Sequence, residues 1–197
     1  MTDAVLVWDT TGPLHASRAA RAEILVEAAG LHRRHVLTDV VADELVGKGQ
    51  PVPTWAEAAA LEDLEELSAF ATWMTRIGTD QSNGHNMGEA ATLAWAEVHG
   101  ATAIIDDKKA RLVARRLRKP GDAWCVHGVL WAVAREVVDE RRDSPKACSG
   151  FCDQMLATGI NWPLGPGGYP GWFESNRSEL FTSCCSERKL DGLRQVI

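Results

Sequence analysis

The stretch ATAIIDDKKARLVARR, residues 101–116, decides the fold. Its first five residues form a short, almost wholly apolar run, which reads as a strand buried on both faces, as in a parallel sheet. Two adjacent carboxylates, Asp106 and Asp107, close the run. A basic segment follows at once, with Leu112, Val113 and Leu117 to face a core. Strand, acids and helix in that order make half of a βαβ unit, with the acids at the carboxyl end of the strand. In parallel α/β sheets this is the edge on which ligands bind.

The same texture recurs on both sides. VLVW (5–8), HVLT (35–38) and AWCV (123–126) read as further buried strands. Between them, helical patterns are predicted over 15–29, from Asp39 to the glycines at 47 and 49, over 55–67, 68–76, 87–99, 108–119 and 128–138. The helix over 55–67 takes Thr54 as its cap, with Glu57 three residues on as a capping box. Strands alternating with helices predict an α/β fold, a mostly parallel central sheet flanked by helices. After Asp143 the texture changes. A helix over 145–158, a Gly/Pro-rich loop over 162–172 folded back on the core, and a helix and tail over 178–197 are expected. The chain thus divides into a core, 1–143, and an extension, 144–197, packed on that core or continuing it.

Composition narrows the class. The chain has 197 residues, 45% of them hydrophobic and 24% charged. That length buries a core without staples. No run approaches the ~18 apolar residues of a membrane span, and MTDAVLVWDT lacks the basic start of a secretory signal. The five cysteines, 125, 148, 152, 184 and 185, are odd in number and widely spaced, which predicts reduced thiols in a cytoplasm rather than a zinc site or a disulfide framework. A net charge of −6 excludes a general nucleic-acid-coating protein but not a local basic face.

The chemistry lies in the acids. Asp9 ends the first strand, and Asp106 and Asp107 end the third; central strands would bring all three to one edge. Glu44 lies in the helix after the second strand, and Glu89 in the first turn of the helix over 87–99. Carboxylates sharing a pocket raise one another's pKa and destabilise the fold unless a cation compensates. Hard oxygen donors with room for water suit Mg²⁺ or Mn²⁺. A helix cap would explain Asp9, or one member of the Asp106–Asp107 pair, but one cap needs only one aspartate. The basic helix supplies Lys108, Lys109, Arg111 and Arg115, cations able to hold the phosphates that flank a scissile one. Arg18, Arg21, Arg33 and Arg34 would extend that face.

The set resembles the PIN-domain nucleases, and within them the VapC-like toxin group. VLVWDTTGPLHASRA is similar to the group's first strand, acid and helix start. VLTDVVADEL is similar to the segment with the second acid, and NMGEAATLAWAEVHGATAIIDDKKARLVARRL to its Gly-Glu-Ala helix, strand and Asp-Asp turn. Two positions depart: Asp39, where members often carry Pro, and His127-Gly128, where members often carry Gly-Thr. The resemblance implies a PIN-like fold and an Mg²⁺- or Mn²⁺-dependent endoribonuclease acting on single-stranded RNA. It implies metal-ligating or water-orienting roles for Asp9, Glu44, Glu89 and Asp107, with Asp106 beside them and Thr10 or Thr11 bonded to an acid or to a metal-bound water. Homodimerisation and inhibition by a cognate antitoxin are also implied. The rival reading is a catalytically silent PIN-like module that binds RNA or protein. A phosphatase using Asp9 as nucleophile would want a second Asp two residues on, where this chain has Thr11.

Overall fold

The computed structural model describes residues 5–19, 21–78, 86–139, 149–162, 164–165 and 167–181. Five parallel strands form one sheet in the order β3-β2-β1-β4-β5. They are β1 (Val5–Trp8), β2 (Arg34–Thr38), β3 (Glu57–Ala59), β4 (Thr102–Ile104) and β5 (Cys125–His127). Val7 sits level with Val36 on one side and Ala103 on the other, so β1 is central. The α/β class and the parallel sheet are as predicted. The chain leaves β1 toward β2 in one direction and later returns to β4 on the other side, so the switch point lies between β1 and β4.

Nine helices in the described residues cover the sheet: α1 (Thr11–Arg18), α2 (Ile24–Ala29), α3 (Asp39–Gly47), α4 (Leu64–Ile77), α5 (Met87–His99), α6 (Lys108–Leu117), α7 (Val129–Asp139), α8 (Ser149–Ala157) and α9 (Gly168–Phe181). Alternate strand residues feed two apolar layers. Leu6, Trp8, Leu37 and Ile104 join side chains of α1, α2, α3, α7, α8 and α9. Val7, Val36, Ala103, Ile105 and Val126 join those of α4, α5 and α6. The extension contributes Phe151, Cys152, Met155, Ile160, Trp162, Tyr169, Phe173 and Leu180 to the first layer.

Four local expectations are corrected. The helix expected over 55–67 contains β3 instead, paired with β2, and α4 begins at Leu64. Arg34 on β2 donates to both Glu57 oxygens, at 2.6 and 2.7 Å, and Trp55 Nε1 donates to the Ala22 carbonyl at 2.9 Å. Pairing with an existing strand overrode the Thr54–Glu57 pattern, and the capping box is Asp63 with Glu66. The helix expected over 15–29 is divided into α1 and α2. The Gly/Pro-rich stretch does fold over the core, but its second half is α9. Cys152 is a buried free thiol as expected, whereas Cys125 is disulfide-bonded rather than reduced. Cys148, Cys184 and Cys185, the expected boundary at Asp143 and the tail over 182–197 lie outside the described residues.

Candidate active site

Asp9 follows β1 directly. Its backbone N–H continues the ladder to the Ile104 carbonyl at 3.0 Å, and only 2% of the residue is exposed. Its Oδ2 accepts from the Thr11 hydroxyl at 3.1 Å and, more weakly, from the Thr11 N–H at 3.4 Å. Burial pushes the carboxyl up to about 8. The charges of Glu89 and Glu44 add to the rise, and the backbone bonds of Thr10 and Thr11 oppose it.

Glu44 is delivered by α3, which Thr38 caps through the Val41 N–H. Three donors hold its carboxylate: the Thr10 hydroxyl at 2.5 Å, the Gly88 N–H at 2.9 Å and Lys48 at 3.4 Å. Gly88 lies in the first turn of α5, so Glu44 takes one of the N–H groups that a helix leaves unpaired. A Cβ on Gly88 would come within 3.0 Å of Thr10 Oγ1 and of Glu44 Oε2, so a side chain there would have to displace one of them. Glu89 follows in the same turn. Burial pushes its carboxyl up. The Glu44 and Asp107 charges add to this, while a backbone bond and Lys48 oppose it.

The adjacent aspartates part company. Asp107 caps α6, accepting the Ala110 N–H at 2.6 Å, and is exposed. Asp106 accepts the Val129 N–H of α7 on Oδ1 at 2.9 Å and the Trp162 indole N–H on Oδ2 at 2.7 Å. Each aspartate therefore has a helix N-terminus to hold. Gly128 makes room for this: its Cβ would lie 2.9 Å from Asp106 Oδ1. That is a physical use for glycine at a position where this chain departs from the group it resembles.

Asp9, Glu44, Glu89 and Asp107 thus form one electrostatic group around the β1/β4 crevice, each within reach of at least one other. Among the described residues, no three His, Cys, Asp or Glu side chains are gathered closely enough to hold one ion. Mg²⁺ commonly keeps several waters and takes only one or two carboxylates. A desolvated acid pressed by like charges is the donor chemistry such a cation relieves, so the residues present fit it.

On α6, Lys108, Lys109 and Arg115 are exposed. Arg111 turns inward, donating to the Ile105 carbonyl at 2.6 Å and standing 3.7 Å from Asp106. The other arginines expected on this face are engaged elsewhere. Arg33 is buried against Glu136, Arg34 holds Glu57 at the start of β2, away from the carboxyl edge, and Arg21 pairs with Glu27. Arg18 is exposed at the end of α1. Sequence reasoning missed Lys48, whose i,i+4 spacing from Glu44 was a usable signal. It also missed Trp162, 56 residues from its partner, for which no local signal exists.

Carboxylates at the switch point of an all-parallel sheet, with exposed cations on the next helix, mark an α/β protein whose ligand site lies at the carboxyl edge of its strands. The sequence pattern of the PIN domain matches residues 6–137, about two thirds of the chain. The chain belongs to this family, whose members are usually nucleases and generally use divalent metal ions. The match runs from β1 into α7 and leaves α8 and α9 outside it. No curated protein and no solved structure matches the chain. Among the described residues, no helix is long and apolar enough to cross a membrane.

Proposed function

We propose that this PIN domain is a metal-dependent endoribonuclease of the VapC-like toxin type, hydrolysing phosphodiester bonds in single-stranded RNA. The observation that supports it most is the buried Asp9 carboxyl, pushed up to about 8 by burial and by the Glu89 and Glu44 charges. Retaining that arrangement without a cation would cost stability for no return. Of Asp9, Glu89 and Asp107, one or two would hold Mg²⁺ or Mn²⁺ directly, and the rest through its waters. When bound, the ion supplies a more acidic water and neutralises charge on the phosphoryl oxygens. Glu44, fixed by Thr10 and Gly88, would orient the attacking water. Asp106 acts by holding α7 rather than by offering a free oxygen. Lys108, Lys109 and Arg115 bind the flanking phosphates, and Arg111 braces the turn from which they project. A homodimer and a cognate antitoxin that blocks the site belong to the same proposal.

The test is cleavage of a mixed RNA set by the purified chain in Mg²⁺, in Mn²⁺ and in EDTA, with Asp9→Asn alongside. The expected result is metal-dependent cutting that Asp9→Asn abolishes; cutting unchanged in that variant would refute the role given to the acids. The bonds of Asp106 and Asp107 to helix N-termini favour one second reading, a silent module that binds RNA. In that case Asp9→Asn leaves RNA affinity unchanged or raises it, because a negative charge is lost, and no cutting is seen with any metal.

A further inference from the structure

Beyond the PIN match, the extension reaches back to the two turns that carry the acids. His15 of α1 and Thr158 are 2.7 Å apart. The Thr158 hydroxyl proton goes to the Met155 carbonyl at 2.6 Å, so His15 Nδ1–H is the donor between them. Trp162 is 8% exposed and packs on Phe151, with ring centroids 5.9 Å apart. Its indole N–H donates to Asp106 Oδ2 at 2.7 Å. The other Asp106 oxygen is already taken by the Val129 N–H. A buried indole needs one acceptor, and a neutral carbonyl would satisfy it. Here the acceptor is instead the carboxylate next to Asp107, which caps α6 through the Ala110 N–H at 2.6 Å.

We infer that Trp162 is a positioning residue of the nuclease site: by holding Asp106 against the start of α7 it fixes the turn at 105–107 from which Asp107 projects. The inference rests on the nuclease reading above and adds the extension to the machinery. A bond that orients a carboxylate beside a metal site is commonly worth about 10–100-fold in metal affinity or activity. An indole lost to phenyl keeps most of the packing and loses only the donor.

The experiment compares the full chain with Trp162→Phe, Asp106→Ala, the double variant and Met155→Ala. It reads kcat and KM on RNA, and the Mn²⁺ concentration that half-saturates thermal stabilisation of the protein without RNA. Trp162→Phe is expected to lower kcat about tenfold or more and to raise the Mn²⁺ midpoint by a similar factor. KM for RNA stays unchanged, because the cations of α6 are untouched. In the Asp106→Ala background, Trp162→Phe has no further effect. Met155→Ala loosens the same extension through its buried side chain; it lowers the melting temperature yet keeps kcat within about twofold where the protein is folded. The inference is overturned if Trp162→Phe keeps the wild-type kcat and Mn²⁺ midpoint, if its effect adds fully to that of Asp106→Ala, or if Met155→Ala loses as much kcat. A wild-type chain that cuts no RNA with either metal sinks the nuclease reading itself, and this inference with it.

Discussion

Asp9 carries the clearest consequence at the scale of single residues. Its carboxyl is protonated in the folded, metal-free chain up to about pH 8 and ionised in the unfolded chain above about 4. The folded state therefore binds more protons across that window, and stability falls as pH rises through it. The buried histidines oppose this only at lower pH. Burial depresses His35, and it depresses His127 to about 3, with Arg115 and Arg118 adding, so their contribution is complete above about 7. The metal-free melting temperature should then drop between pH 7 and 8, and Asp9→Asn should flatten the drop; a slope unchanged in the variant would count against the buried acid. Adding Mn²⁺ at pH 8 should raise the melting temperature of the wild type far more than that of Asp9→Asn. Gly88→Ala tests the second acid. Its new methyl would crowd Thr10 and Glu44, so a loss of about 1–3 kcal/mol in chemical denaturation is expected, together with loss of cutting.

At the scale of elements, α6 and α4 make opposite demands on the sequence. The capping of α6 by Asp107 was legible, because an Asp ahead of a periodic run is a strong local signal. The start of α4 was not. Thr54…Glu57 and Asp63…Glu66 carry the same spacing, and only pairing with β2 chose between them. Glu66 accepts the N–H groups of Glu62 and Asp63 and meets His99 at 2.8 Å. Glu66→Ala should cost about 1–3 kcal/mol in urea unfolding and leave cutting intact, since Glu66 meets His99 at the end of α5 opposite the turn that carries Glu89. On α6, replacing Lys108 and Lys109 by Ala should weaken RNA binding evenly across sequences. The slope of log affinity against log salt should flatten by about 0.7 for each single-strand phosphate that is no longer neutralised. A sequence-dependent loss, or an unchanged slope, would place the substrate elsewhere.

Taken as a whole, the molecule joins its family core and its extension in one apolar layer, where Trp8 of β1 and Val133 of α7 share a cluster with Met155, Phe173 and Leu180. A chain cut before α8 would leave that layer open. It should aggregate or melt without a cooperative transition, whereas a separable appendage would leave a stable, cooperatively melting core. By itself, the sequence determined the parallel α/β class, four of the five strands and the placement of Asp9, Glu44, Glu89 and Asp107 on the elements that carry them. Strand hydrophobicity, helix periodicity and caps are properties of a few adjacent residues, so they can be read locally. Only the tertiary structure decided that Glu57 to Ala59 adds an edge strand, that Arg33 and Arg34 turn away from the site, and that the paired aspartates divide between two helix starts. It alone decided that Trp162 closes on Asp106. Each of these outcomes depends on partners tens of residues apart, and the donor or pocket that selects them comes into being only when the chain packs.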